Sequence, residues 1–167
     1  MKKIHLLRHA KSDWGNASLP DIHRPLNARG IRVARFMAVK LVESGCSFTY
    51  VFCSPAVRAQ STIRLICDQL PDINMKWKTD TALYTFESSD LLKWIKSRDE
   101  SISELLIVGH NPALTNVCNH LIDGDIRNIP TCGYVQLSAK ACLKWSVLSK
   151  ASFDIVHFLR PKELMLA

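Results

Sequence analysis

Two hydrophobic rhythms alternate along the chain. Short apolar runs fall at Ile4–Leu7, Phe48–Cys53, Leu105–Val108, Tyr134–Leu137 and Phe153–Phe158, with a weaker one at Met75–Lys78. Runs this short, bounded by turn-forming residues, predict strands. Between them apolar residues recur at helical spacing: Ile31, Ala34, Ala38 and Leu41; then Ala59, Ile63, Ile66 and Leu70; then Leu91, Leu92 and Ile95; then Leu114, Val117, Cys118 and Leu121. The spacing predicts four helices, the third over 89–97. Asn27 stands where an N-cap is needed, and Gly45 where a helix-terminating glycine is needed. Ser54-Pro55 and Asn111-Pro112 each read as N-cap plus first helical residue, since proline there loses no hydrogen bond. Strand–helix alternation without repeats or linkers predicts one domain over residues 1–167. It is an α/β three-layer sandwich, with a mostly parallel central sheet and helices on both faces. A chain of 167 residues buries roughly 70% of its unfolded surface, enough for a full core.

Three strand–helix joints share one layout. "HLLRHAKSDW" ends a strand on Arg8-His9, "VFCSPAVRAQ" places Arg58 in a first helical turn, and "LIVGHNPALT" ends a strand on Gly109-His110. In an open parallel sheet the carboxyl ends of the strands share one edge, and ligands bind there. Helix N-termini at that edge favour anions. Arg8, His9, Arg58 and His110 would converge on it. Each joint alone has a bland reading as a surface turn or a cap. Two arginines and two histidines at equivalent strand ends describe a phosphoryl site.

Charge sharpens this picture. The net charge is +7, but residues 1–64 carry eleven Lys/Arg against three Asp/Glu, and the remainder carries eleven against twelve. The excess suits a phosphorylated substrate, an anionic surface or a nucleic acid. Arg32, Arg35 and Lys40 read as the solvated face of a helix. Nucleic-acid binding would want aromatics interleaved with the cations, yet aromatics are 8% of the chain and mostly occupy strand or core positions. A phosphate- or nucleic-acid-binding module is therefore the non-enzymatic alternative, and no nucleic-acid partner is expected. The six cysteines contain no C-x-x-C pair and read as reduced thiols in the core. The apolar run at Ile4–Leu7 is too short for a signal peptide or a membrane span, so a soluble, cytoplasmic protein is expected. The sequence sets no oligomeric state, and a monomer is compatible with it.

"LLRHAKS" resembles the signature of the histidine phosphatase superfamily, whose fold is that of the phosphoglycerate mutases. "SPAVRAQST" is similar to its second arginine motif and "VGHNP" to its second histidine motif. "DIHRPLNARG" resembles the short SixA-like branch of phosphohistidine phosphatases. The four motifs keep the family's order across nearly the whole chain. The resemblance implies that His9 is the nucleophile and becomes phosphorylated, with Arg8, Arg58 and His110 holding the phosphoryl oxygens. A neutral imidazole is nucleophilic, and neighbouring arginine charge keeps it neutral. The same cations stabilise the transferring group, so no metal and no cofactor is expected. Lys11 and Ser12 are placed either to donate to the phosphate or only to shape the loop.

The departure from the family lies in the general acid. Larger members use a carboxylate after the second arginine motif, where this chain reads "ALYTFESSDLL". Glu87 is nearest by position, although its surroundings match poorly. Asp90 reads as a first-turn helix acid, and Asp13 and Asp21 lie in the loop after His9. Glu87 is the candidate proton donor among them, the alternative being that none acts as an acid. His5 and His157 read as strand packing residues, His120 as a helix-end residue and His23 as a loop residue. Asp21, His23, His110 and His120 lack the spacing of metal ligands. Arg24, before Pro25, reads as a salt-bridge residue pinning the loop. The function expected is a phosphatase acting through phospho-His9, on phosphohistidine in proteins or on a small phosphorylated group. The alternatives are an acid-assisted phosphomonoesterase and a mutase. A mutase must shield its intermediate from water, and short joints leave little room for a lid.

Overall fold

β1 (Lys3–Arg8) alternates its side chains between two layers, which shows how the molecule is built. Ile4 and Leu6 point into one apolar cluster, and Leu7 into another on the opposite face. β1 therefore lies in the middle of a sheet covered on both sides. The computed structural model describes residues 1–167. Its remaining strands are β2 (Val51–Cys53), β3 (Trp77–Thr79), β4 (Glu104–Gly109), β5 (Tyr134–Ala139) and β6 (Phe153–Leu159), in the order β3-β2-β4-β1-β5-β6. β3, β2, β4 and β1 are mutually parallel; β5 runs against β1, and β6 returns against β5. The sheet is thus mostly parallel, with an antiparallel pair added where no crossover helix intervenes.

α1 (Ala28–Glu43) and α2 (Val57–Asp68) cover one face; α3 (Ser88–Lys96) and α4 (Ala113–Ile122) cover the other. This is the three-layer α/β arrangement read from the sequence. The Asn27 side chain accepts from the Gly30 N–H and caps α1. Gly45 follows its end at φ +79°, a left-handed conformation that glycine adopts freely. A short α5 (Pro161–Leu166), which the periodicity does not announce, closes the chain. No helix is long and apolar enough to cross a membrane.

Several boundaries differ from expectation. α4 begins at Ala113, so Pro112 is its N-cap and not its first helical residue, and Asn111 lies ahead of the cap. β2 begins at Val51 rather than Phe48, whose ring is buried ahead of the strand. β3 lies at Trp77–Thr79, slightly later than the run Met75–Lys78. α2 begins at Val57 because Ser54 Oγ accepts from the Ala56 N–H and the Ser-Pro pair lies in the turn before the helix. The six cysteines are free: Cys46, Cys53, Cys118 and Cys132 buried, Cys67 half-buried and Cys142 exposed. Arg32 and Arg35 lie on the solvated side of α1, and Lys40 there pairs with Glu43.

Candidate active site

The parallel register brings three strand ends level. Arg8 of β1 sits opposite Gly109 of β4, and the His9 N–H donates to the Gly109 carbonyl at 3.2 Å. Ser54, just past β2, donates its N–H to the Val108 carbonyl at 3.0 Å. His9, Ser54 and His110 therefore leave the sheet side by side, and the first turn of α2 adds Arg58. The structure brings all four residues of the expected phosphoryl site together.

The hydrogen bonds assign the protons. His9 Nδ1 lies 2.7 Å from the Ala10 carbonyl, which only accepts, so Nδ1 carries the hydrogen. The lone pair is on Nε2, which accepts from Arg58 Nε at 3.3 Å. His110 repeats the logic in reverse. Its Nδ1 faces Arg58 Nη2 at 3.4 Å, so Nε2–H donates to Ser54 Oγ at 2.7 Å. A guanidinium cannot accept, so both rings facing Arg58 are neutral. Electrostatics agrees. Burial, followed by the charges of Arg58, Arg8 and Arg24, lowers His9 to about 4 despite its bond to Ala10. Burial, then His9 and Arg58, lowers His110 to about 3. His9 is 7% exposed and His110 2%.

Arg58 is 2% exposed and is held by Asp21. Nη1 donates to the Asp21 carbonyl at 2.7 Å and Nη2 to its carboxylate at 3.0 Å. The same carboxylate accepts from Arg24 Nε and Nη2 and from the Tyr84 hydroxyl. Burial works against its ionisation, but hydrogen bonds from Tyr84, Arg58 and Arg24 outweigh it, and Asp21 is held well below the usual carboxylate range. Arg8 Nη1 donates to the Ile129 carbonyl at 3.0 Å, while its Nε is buried with no partner. A buried orphan donor is costly unless a ligand satisfies it.

Arg8, His9, Asp21, Arg24 and Arg58 line a cavity of about 300 Å³ shared with Lys11, Ser12, Trp14, Phe86, Asn111 and Thr131; His110 is not part of its lining. Lys11 is exposed and its amine is unpaired. Ser12 Oγ accepts from Arg24 at 2.6 Å, which ties the loop while leaving its own hydrogen free. Arg24 pins the loop as expected, bonding Asp21 and Ser12 and lying 3.5 Å from the Trp14 ring. Tyr84 and Phe86 wall the His110 ring, with centroids 5.4 and 5.3 Å away.

The carboxylates separate clearly. Asp21 lines the cavity; Glu87 does not, being exposed at the residue before α3. Asp13 accepts from the Gly15 N–H, and Asp90 from the Thr85 hydroxyl. His5 is buried between the Tyr134 hydroxyl and Glu104, whereas His157 and His120 are exposed on β6 and α4. No three His, Cys, Asp or Glu side chains gather as a ligand set. Sequence reasoning missed the clamp of Asp21 on Arg58, the use of Ser54 as the His110 acceptor, and the Tyr84–Phe86 wall. Ser54 carried a signal, but its hydroxyl was read as a cap.

A sequence profile of the histidine phosphatase superfamily (branch 1) matches residues 4–87, half of the chain. The chain belongs to that superfamily. An uncharacterized protein of Mycobacterium leprae is 26% identical to this superfamily member, over 93% of this chain and 100% of its own. A 2,3-bisphosphoglycerate-dependent phosphoglycerate mutase of Bradyrhizobium is 34% identical over 52% of this chain, and the match spans only 42% of the mutase. Among solved structures, a putative phosphohistidine phosphatase SixA from Agrobacterium tumefaciens superposes with a TM-score of 0.80 at 22% identity, covering 96% of this chain and 98% of its own. The protein histidine phosphatase SixA complexed with tungstate gives 0.77 at 19%, covering 97% and 99%. At these identities the likeness is one of fold, and it confirms the phosphoglycerate-mutase-like architecture.

Proposed function

We propose that this superfamily member is a metal-independent phosphatase that works through phospho-His9 and acts on phosphohistidine in proteins. One observation carries the reading. The unprotonated Nε2 of His9 lies among arginines in a cavity whose only carboxylate, Asp21, is locked in its ionised form.

His9 Nε2 attacks phosphorus, the bond from phosphorus to the leaving atom breaks, and the phosphoryl group passes to Nε2. Arg8 and Arg58 hold its oxygens, with Arg8 Nε gaining the partner it lacks. His110 Nδ1 stays unprotonated and accepts from Arg58 Nη2, which holds that guanidinium beside the phosphoryl group. Water then attacks phospho-His9, releasing inorganic phosphate and restoring the imidazole. An alkoxide leaving group needs a general acid, which contributes about 10²–10⁴ in rate. Ionised Asp21 cannot supply that proton, and Glu87 is outside the cavity. An imidazole leaving group needs no acid at the scissile nitrogen: with a proton from solvent on its other ring nitrogen it departs as neutral imidazole, whose conjugate acid has a pKa of about 6.5. Exposed Lys11, Trp14 and Phe86 line the cavity, so a side chain presented by another protein has access to it.

The test compares kcat/KM for a phosphohistidine protein with that for a simple sugar phosphate, in wild type, His9→Ala and Glu87→Gln. Wild type and Glu87→Gln should prefer the phosphohistidine protein. His9→Ala should lose the acid-labile, base-stable phosphoenzyme and fall below about a thousandth of wild-type turnover. A sugar phosphate that wins, with its turnover abolished by Glu87→Gln, makes the chain an acid-assisted phosphomonoesterase instead.

A further inference from the structure

A second concavity adjoins the catalytic one. It has a volume of about 330 Å³, and Lys11, Arg29, Pro130, Thr131, Pro161 and Lys162 line it. Lys11 and Thr131 line both, so the two form one furrow leading to His9. Its cations come from three separate segments: the loop after β1, the first turn of α1 and the first turn of α5. The amine or guanidinium groups of Lys11, Arg29 and Lys162 form none of the molecule's ion pairs. No acidic residue lines the groove, and the nearest in sequence, Glu163, turns to Arg160.

Two features show what it costs to hold these cations together. Arg29 sits in the first turn of α1, where the helix dipole disfavours positive charge and no acidic residue compensates. Gly30 beside it is pressed against the preceding loop, and a β-carbon there would lie 2.1 Å from the Lys11 carbonyl oxygen. That contact locks the Lys11 backbone onto the start of α1, so Lys11 and Arg29 stay adjacent. The furrow as a whole has six cations, Arg8, Lys11, Arg24, Arg29, Arg58 and Lys162, against the single carboxylate of Asp21. Five of them belong to the basic first third of the chain. Within the catalytic cavity Asp21 partly neutralises the arginines; in the adjoining groove nothing does.

We propose that this groove docks an acidic segment of the phosphorylated protein, carboxylate side chains flanking the phosphohistidine that enters the catalytic cavity. This rests on the phosphatase reading of the His9 site. The occupant follows from the form of the groove. Its cations stand at exposed tips of long side chains, its walls include two prolines, and no buried polar group is aimed into it. A lone small anion would find no closed cradle. A peptide chain with several carboxylates meets all three cations at once and is steered to the mouth by their field.

The experiment uses two peptides of identical length, each bearing one phosphohistidine, flanked in one by three Glu and in the other by three Gln. They are assayed with wild type and with the Arg29→Glu/Lys162→Glu double variant. An aryl phosphate serves as the substrate that reaches only the catalytic cavity. Wild type at low salt should favour the Glu peptide about tenfold in kcat/KM, and roughly 0.5 M salt should erase the preference. The double variant should lose or invert it while turning over the aryl phosphate at the wild-type rate. Equal kcat/KM for the two peptides in wild type, or a preference that survives the charge reversal, overturns the docking groove and leaves the phosphatase reading standing. Failure of wild type to hydrolyse either peptide overturns both.

Discussion

Lowering the pH should unfold this protein through its active site. His9 and His110 are neutral in the folded chain, at about 4 and about 3, chiefly because burial and Arg58 disfavour their cations. The unfolded chain offers them an ordinary value of 6.5. Below 6.5 the unfolded state therefore binds protons that the folded state refuses, and stability falls as pH falls. Each histidine contributes about 1.4 kcal/mol per pH unit across that window, so the pair loses about 5 kcal/mol between pH 6.5 and 4.5. That is a third or more of an ordinary domain's stability of roughly 5–15 kcal/mol. His5 is also buried and lowered, and it adds a slope of the same sign. The measurement is urea unfolding of wild type and a His9→Asn/His110→Asn variant at several pH values. The wild-type free energy should drop about 5 kcal/mol more than the variant's, while the shared His5 term cancels. Catalysis should report the same state, because kcat/KM follows the free enzyme. It should stay level as pH falls through 6.5 and decline only near the His9 value of about 4. Parallel stability curves, or an acid limb near 6.5, would show that these rings are not held neutral.

Other outcomes are expected. Gly30→Ala places its β-carbon 2.1 Å from the Lys11 carbonyl oxygen, so it should cost about 1–3 kcal/mol and lower the melting temperature. Ser54→Ala removes the acceptor of His110 Nε2–H at 2.7 Å and leaves a buried donor unpaired. It should cost about 1–3 kcal/mol and lower kcat, and a variant with wild-type stability and rate would contradict the tautomer assigned here. Treatment with chelators should leave turnover unchanged, since Arg8 and Arg58 supply the positive charge; a strict need for Mg²⁺ or Zn²⁺ would contradict the mechanism.

Much of this fold is local and could be read along the chain. The runs at Ile4–Leu7 and Leu105–Val108, the helical spacing after Asn27 and the turn at Gly45 each depend on near neighbours, and the structure keeps them all. The strand-end positions of Arg8, His9 and His110 follow from the same logic, because in a parallel sheet the strand direction alone decides which edge a residue reaches. The basic excess of residues 1–64 also pointed to an anion. Tertiary structure decided the rest. Asp21 meets Arg58 and Tyr84 across 37 and 63 residues, and no periodicity encodes such meetings. That clamp turns a candidate proton donor into a fixed anion. Ser54 looks like a cap because Ser-Pro often precedes a helix, yet β2 and β4 set its hydroxyl against His110. Which nitrogen of His9 is free depends on a carbonyl 2.7 Å away. The sequence determined which groups reach the edge, since alternation and capping are local interactions. Their protonation and partners were decided only by the packed fold, because burial and charge act through space rather than along the chain.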